Sequence, residues 1–398
     1  MTPDAQDVGG NDQQGWSQSA RRRGAVAVVD LAAVTHNTAR MLAAAGGAAV
    51  MAVVKADAYG HGLVPCALAA QRGGATWLGT ALFEEALRLR DAGVGGPILA
   101  WLSGPGADWD AVLARGIDVS VSAPWALPEL TAAAGRVGRP ARVHLKVDTG
   151  LSRAGSQPTD WPDLVTAAAQ AQALGAVEVV GLWSHLACAD TPEHPANSTA
   201  LQRFHDAYGQ ATAAGLTPQV RHLANSAATL ALPDTRLDLV RPGIALYGIS
   251  PGEQIGTVRA LGLRAAMSLR ARLALVKRVP AGQGVSYGHA YVTDRETVLG
   301  LVPLGYGDGI ARSAANRGPV QAGLLRTSVV GQVCMDQVVV DLGPGSAARI
   351  GDEVVLFGDA GTGVPEVEDW GRATGTIGYE VVTRIGPRVP RAYVGGVA

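Results

Sequence analysis

Lys55 stands where an apolar run ends and a glycine-rich turn begins, in Val53-Val54-Lys55-Ala56-Asp57-Ala58-Tyr59-Gly60-His61-Gly62. The preceding Ala48 to Val54 is almost wholly apolar, the pattern of a buried parallel strand, so the lysine projects from the strand's carboxyl end. Partial removal from water lowers a lysine's pKa and makes it a nucleophilic amine, as Schiff-base chemistry with an aldehyde cofactor requires. A lone lysine beside a strand is ordinarily a solvated surface residue. Tyr59, four residues on within a Gly/His turn, weighs toward chemistry.

Such a lysine needs a scaffold, and the pattern from Leu31 to about Leu261 supplies one. Short apolar runs alternate there with longer Ala/Leu-rich segments, as strands followed by helices. Eight strands are predicted: Ala49 to Val54, Thr76 to Gly79, Pro97 to Trp101, Ile117 to Val121, Ala141 to Val147, Val177 to Ser184, Gln219 to Ala224 and Leu237 to Val240. Helix signals lie between them, such as Glu84 to Arg90 with Gly93 just beyond, and Pro65 near a helix start. Eight parallel βα units over about 230 residues point to a closed (β/α)8 barrel of the TIM type. An open doubly wound sheet is the alternative, although no G-x-G-x-x-G follows the first strand. From residue 262 to 398 the texture changes to β-rich runs separated by Gly and Pro: Ser268 to Val279, Thr297 to Leu304, Thr327 to Leu342 and Asp352 to Phe357. These predict a mainly β C-terminal domain, with a helix around Gly375 to Ile385 and a last strand after Arg388-Val389-Pro390-Arg391.

In such a barrel the reactive residues belong in the loops at the strands' carboxyl ends. Those loops hold Lys55 and Tyr59, then Asp148 to Arg153, Ser184-His185, Asn225-Ser226 and Arg241-Pro242-Gly243-Ile244. The last two pairs of strand and loop form the usual phosphate cradle, and Ser226, Gly243 and Ile244 offer a hydroxyl and backbone N–H groups.

Composition narrows the partner to a small molecule. The 398 residues carry a formal net charge of -1 and are 47% hydrophobic, which argues against nucleic acid or an anionic membrane surface. Cys66, Cys188 and Cys334 are widely spaced without C-x-x-C, fitting a reducing compartment, and the eight histidines lack metal-like spacing, so no metal is expected. Arg21-Arg22-Arg23 and the apolar residues after it resemble a signal peptide only superficially, because Asp30 interrupts the run; residues 25 to 31 read as a strand, one that could pair with the β domain. Residues 1 to 23, rich in Gln, Gly, Asp and Ser, read as a disordered tail, leaving the barrel as residues 24 to 261. No run approaches the roughly 18 to 20 apolar residues of a membrane span, and a cytoplasmic protein is expected.

The Lys55 segment resembles the pyridoxal-phosphate attachment signature of alanine racemases. Further segments are similar in the same order: 146 to 153 (Lys-Val-Asp-Thr-Gly-Leu-Ser-Arg), 224 to 227, 241 to 248 (Arg-Pro-Gly-Ile-Ala-Leu-Tyr-Gly), 285 to 288, 305 to 309, 334 to 337 (Cys-Met-Asp-Gln) and 379 to 381. The resemblance spans about residues 25 to 395. It implies a homodimer of two-domain subunits in which the second domain of one subunit completes the other's site. It also implies interconversion of L- and D-alanine, supplying D-alanine for peptidoglycan.

Each role implied by the resemblance can be set against a physical need. Lys55 would hold pyridoxal 5'-phosphate and then act as base on one face of Cα. A single base returns the starting enantiomer, so racemisation needs a second acid/base opposite, and by resemblance that is Tyr287 of the partner subunit. A phenol with unperturbed pKa near 10 is a poor base at neutral pH and needs cationic or hydrogen-bonding neighbours, which His185 and Arg241 would offer. On residue type alone Tyr287 would be a strand tyrosine packed on a sheet. Arg241 would face the cofactor's ring nitrogen and, keeping its own proton, leave the ring a restrained electron sink. Arg153 would neutralise the substrate carboxylate or the cofactor's phenolic oxygen, and Met335 would add a backbone N–H to that carboxylate. Tyr59, Asn225, Ser226 and Tyr379, with the backbone of Gly243 and Ile244, would complete the cofactor site. Lys146, inside its strand, would be carbamylated, since an anion there attracts Arg153 whereas an unmodified lysine repels it. Alternatives from the residues are a decarboxylase on the same plan, a racemase of another small amino acid such as serine, and a non-enzymatic pyridoxal-phosphate carrier; Arg241 and Tyr287 weigh against the first, and the β domain against the last.

Overall fold

A computed structural model describes residues 16 to 396 of the chain. The chain divides into two compact units, one of residues 34–58 and 63–263, the other of the residues up to 33, 59–62 and from 264 onward. The first strand, β1 (Ala25–Asp30), belongs to the second of these units.

The first unit is a barrel of eight parallel strands: β2 (Ala49–Val53), β3 (Trp77–Thr80), β4 (Ile98–Ala100), β5 (Asp118–Val121), β6 (Ala141–Lys146), β7 (Val177–Trp183), β8 (Val220–His222) and β9 (Leu239–Val240). Their order is β8-β7-β6-β5-β4-β3-β2-β9, with every ladder parallel. Short, Val- and Leu-rich runs buried over most of their length are what both-face coverage by helices selects. The ring is nearly closed, and the seam between β8 and β9 is bridged from the Asp238 N–H to the Arg221 carbonyl (3.2 Å) and from the Arg241 N–H to the Ala224 carbonyl (2.9 Å). The Arg221 guanidinium also grips both carboxylate oxygens of Asp238, at 2.8 and 3.0 Å. One side of the interior is apolar, with Met51, Leu99 and Leu239 packed against Trp77, Trp101 and Val220.

The second unit is built on a nine-stranded sheet. Its further strands are β10 (Met267–Arg272), β11 (Leu275–Val279), β12 (Gly284–Val285), β13 (Tyr291–Val292), β14 (Thr297–Val302), β15 (Pro319–Ala322), β16 (Leu325–Val330), β17 (Val338–Asp341), β18 (Glu353–Phe357) and β19 (Arg391–Val394). The order is β11-β14-β17-β16-β15-β18-β10-β1-β19, with β12 and β13 forming a separate pair. β1 lies antiparallel to β10 and parallel to β19.

Three expectations change. Of the expected disordered tail, residues 1–15 lie outside the described residues, but Gln18–Arg23 is a helix. Trp16 anchors it: fully buried against Ala20, Val26, Val28 and Ala392, it donates from Nε1 to Glu353 (3.1 Å) and lies 4.4 Å under the Arg272 guanidinium. The run read as Thr327 to Leu342 is two strands, β16 and β17, because Gly331 takes φ +76° and turns residues 331–337 out as a loop. A helix at Val367–Thr374 precedes the anticipated one, which is confined to Gly378–Thr383. Among the described residues no helix is long and apolar enough to cross a membrane.

Candidate active site

The end of β2 is pinned from three directions. Val53 N–H donates to the Pro242 carbonyl (3.0 Å), Val54 N–H to Gly79 (2.8 Å), and the buried Tyr247 hydroxyl to the Val53 carbonyl (2.9 Å). Lys55 follows, and from Ala56 through Tyr59 four consecutive non-glycine residues have φ between +53° and +55°. This is a left-handed turn, a conformation that costs roughly 1–2 kcal/mol per L-residue and so needs external support. Glu85 provides it: its carboxylate accepts from the N–H groups of Ala56 (2.5 Å), Ala81 (3.0 Å) and Leu82 (3.1 Å). Asp57 adds a bond from the Leu63 N–H (3.0 Å). Burial, then the charge of Arg153 and that of Arg241, lower the Lys55 pKa against an opposing pull from Glu85. Its Nζ lies 5.8 Å from the centre of the Trp101 ring.

Around it the barrel gathers cations. Lys146, the last residue of β6, holds its ammonium 4.1 Å over the Trp183 ring, and burial followed by Arg241 and Arg153 brings its pKa down to about 8. Arg241 is buried, its guanidinium 4.8 Å over the same Trp183 ring, donating to the carbonyls of Ser184 (2.6 Å) and Leu223 (3.2 Å). Burial lowers its pKa to about 9, which leaves it charged at neutral pH. His185, 3.4 Å from Arg241, is held well below the ordinary imidazole range by burial and then by Arg241, Arg153, Lys146 and Lys55. Arg153 itself is exposed, on a loop shaped by Asp148, which accepts from Gly150 N–H (2.8 Å), Ser152 N–H (3.2 Å) and Gln157 (3.0 Å). Four cations gathered in this way, two of them lysines depressed by the others, are arranged to receive an anion.

At the loop after β8, Asn225 caps the helix Ser226–Ala231 by accepting from Ala228 N–H (3.0 Å). The Ser226 hydroxyl accepts from the N–H of Gly243 (2.9 Å) and of Ala245 (3.4 Å), which leaves its own proton to donate elsewhere. The Ile244 N–H has no hydrogen-bond partner among the described residues. Gly243 N–H is thus already engaged, whereas Ser226 and Ile244 retain donors.

The remaining candidates belong to the β unit. Tyr59 and Tyr379 are 6.3 Å apart between ring centres, and burial, then Tyr379, raises the Tyr59 phenol far above its ordinary range. Tyr287 is not a strand tyrosine: it opens the short turn Tyr287–His289 after Ser286, whose φ of +63° and ψ of −172° are rare for a residue with a side chain. The Ser286 hydroxyl fixes that backbone by donating to the Gln332 carbonyl (2.7 Å). Met335 sits on the loop between β16 and β17; its carbonyl accepts from Gly307 N–H (2.8 Å), while its own N–H has no hydrogen-bond partner among the described residues. Among the described residues no group of three or more His, Cys, Asp or Glu is placed to hold a metal ion.

Glu85, Trp101 and Trp183, which position or line the Lys55 surroundings, were not anticipated from the sequence. The chain's order of glycine-rich strand ends had indicated the loops, but not the aromatic floor beneath them.

Comparison with known proteins agrees with this arrangement. Residues 29–251 match the alanine racemase N-terminal domain model and residues 266–393 the alanine racemase C-terminal domain model. The chain belongs to the alanine racemase family. Alanine racemase of Frankia casuarinae is 56% identical over 383 residues, 96% of this chain and 100% of that protein, and that of Streptomyces coelicolor is 55% identical over 95% and 99%. The crystal structure of alanine racemase from D-cycloserine-producing Streptomyces lavendulae superposes with a TM-score of 0.93 at 56% identity, covering 94% of this chain and 97% of that one. Membership makes the chain a racemase enzyme of the alanine racemase type, with a parallel (β/α)8 barrel followed by a mainly β C-terminal domain.

Proposed function

We propose that the chain interconverts L- and D-alanine with bound pyridoxal 5'-phosphate by a two-base mechanism, and that its product D-alanine serves peptidoglycan synthesis. The observation that carries the proposal is the cluster of Lys55, Lys146, Arg153 and Arg241, in which burial and then the arginine charges lower the pKa of both lysines, and which so calls for an anionic guest. The residues fit that group, since the Ser226 hydroxyl proton and the Ile244 N–H remain to donate to a phosphate. Tyr59, Asn225 and Tyr379 complete its proposed ligands, while the Gly243 N–H, bonded to the Ser226 oxygen, acts by turning that hydroxyl's proton outward. When bound, the cofactor supplies an electron-withdrawing ring joined to the substrate nitrogen, which acidifies Cα.

Lys55 carries the cofactor and, as a free amine of lowered pKa, takes or returns the Cα proton at Nζ on one face. Tyr287 of the partner subunit does so at Oη on the opposite face. Arg241 presents a fixed cation that withholds its proton from the cofactor ring, and neutral His185, accepting from it at Nδ1, keeps its Nε2 proton to donate. Arg153 and the Met335 N–H orient the substrate carboxylate. Lys146, with a pKa brought near 8, has neutral amine available to take up carbon dioxide, and the resulting carbamate would hold Arg153.

Purified holoenzyme incubated separately with L- and D-alanine should approach the same near-equal mixture from both sides. Failure from either side with cofactor bound defeats the proposal. Intact mass under non-acidic conditions should show one bound carbon dioxide per chain; an unmodified mass removes the carbamate.

A further inference from the structure

Resting on the racemase reading, we infer that His222, His144 and Asp118 are positioning residues: a one-way hydrogen-bond relay through the barrel interior that holds Arg241 in place. The relay starts at Arg241, just past β9. Its Nη1 lies 3.2 Å from His222 Nδ1, and the His222 Nε2 lies 2.8 Å from His144 Nδ1. His144 Nε2 then lies 3.3 Å from Asp118 Oδ2, at the first residue of β5. Arg142 closes the chain by donating to both Asp118 oxygens, at 2.8 and 3.3 Å.

Donor counting gives the relay its direction. An arginine can only donate, so His222 Nδ1 accepts and its proton must sit on Nε2. That proton goes to His144 Nδ1, which places the His144 proton on Nε2, aimed at the carboxylate. Burial and the Arg241 charge hold His222 well below the ordinary imidazole range, in keeping with a neutral ring. A carboxylate orienting an imidazole that in turn orients the reactive group is a recurrent device of catalytic sites. Here two imidazoles lengthen it, and the carboxylate supplies a remote counter-charge to a guanidinium stripped of water.

The fold has made room for the relay. Both histidines are wholly buried, His222 stacks on Trp183 (5.5 Å, 9°), and Trp77 meets His144 edge-on at 5.5 Å. The β6–β7 register slips between Val143 and His144, bringing His144 opposite Gly181. A Cβ at Gly181 would collide with the His144 ring, so the glycine clears the space the imidazole occupies. A ladder break, a glycine and two buried imidazoles at one point are costly features for a strand that needed only to fill a core.

Substitution Asp118→Asn gives a test with a definite sign. Arg142 makes its shorter bond to Oδ1, so the amide oxygen stays there and the amide nitrogen faces His144. His144 must then accept on Nε2 and donate from Nδ1, His222 must carry its proton on Nδ1, and that proton opposes Arg241. Substitution His144→Gln keeps one acceptor and one donor and therefore the direction. In holoenzyme labelled with 15N-histidine, NMR should show two of the eight histidines as Nε2–H tautomers. D118N should move both to Nδ1–H and lower kcat about ten- to a hundredfold, with KM for alanine far less affected. H144Q, the larger change of shape, should retain more kcat than D118N, an order a merely structural role does not give. Nδ1–H tautomers in the unaltered protein, or inverted tautomers in D118N with kcat unchanged, overturn the relay. Assigned tautomers in an unaltered chain that fails to racemise alanine defeat the racemase reading instead.

Discussion

Lys146 and Arg241 are buried and engaged by their own unit, whereas Tyr287 leaves 73% of its surface exposed and Met335 53%. The two groups of candidate residues differ in what prepares them. In the barrel, desolvation and neighbouring charge tune each group within one chain, and aromatic rings at Trp101 and Trp183 floor the site. In the β unit, the backbone is fixed while the side chains face outward: Ser286 is strained into place and the Met335 loop is bonded at Gly307, yet the phenol of Tyr287 meets water. An acid or base meant for a site that excludes water cannot work so exposed. The contrast therefore supports the proposal that a second copy covers Tyr287, and it offers ways to tell a self-sufficient half from a donated one.

Replacing the barrel's nucleophile should have the largest effect. Lys55→Ala removes both the cofactor attachment and one base, and racemisation should fall on the order of 10⁴-fold, the upper end for a lost acid or base. Chiral chromatography of the product measures it. Tyr287→Phe should cost on the order of 10²- to 10³-fold in both directions, because each direction takes a proton on one face and returns one on the other. Its melting temperature should stay close to that of the unaltered chain, since the substitution removes one hydroxyl and keeps the ring that the second copy would cover. Solvent deuterium entering Cα at undiminished rates from both enantiomers would show that Tyr287 is not the second base. Mixing K55A with Y287F subunits sharpens the comparison: a shared site regains activity in mixed dimers, and a site contained in one chain does not.

How far these halves could be read from the sequence differs for a physical reason. Strand-end positions are marked by composition, so Lys55, His185, Asn225 and Arg241 were visible once eight βα units were counted. The polar stripe Arg142, His144, Lys146 is visible as well, alternating with Val143, Leu145 and Val147. What period two could not give is the partner, because His222 lies 78 residues further on and meets His144 only when the barrel closes. The left-handed turn after Lys55 carries no glycine from Ala56 to Tyr59, so nothing local announces it; its support arrives from Glu85, 29 residues away from Ala56. The Met335 loop was hidden inside an apparent β run that Gly331 breaks.

That turn gives the next prediction. Glu85→Gln replaces a carboxylate that gathers three N–H groups with an amide that must present two protons of its own. Stability should fall by about 1–3 kcal/mol, measured by urea unfolding, and kcat should fall with it because Lys55 loses its mount. A loss of stability with kcat intact would show that the turn is scaffold and that Lys55 tolerates its relaxation.

The smallest effect expected is a pH dependence confined to the barrel. In protein freed of carbon dioxide, the pKa of folded Lys146 is brought down to about 8 from the ordinary lysine value of 10.5, burial being the main cause, followed by Arg241 and Arg153. Between those two values the unfolded chain binds more protons than the folded one, so stability rises with pH across that window. Below pH 8 both states are protonated and the burial penalty is present in full; above 10.5 it has vanished. Urea midpoints taken from pH 7.5 to 10 should therefore climb for the unaltered chain relative to Lys146→Met, which has no proton to lose, with the largest gain for the variant at the acid end. Parallel curves for K146M and the unaltered chain would mean that Lys146 is neutralised by something other than its own deprotonation, and a carbamate retained through the carbon dioxide-free treatment is then read directly from the mass of the same sample.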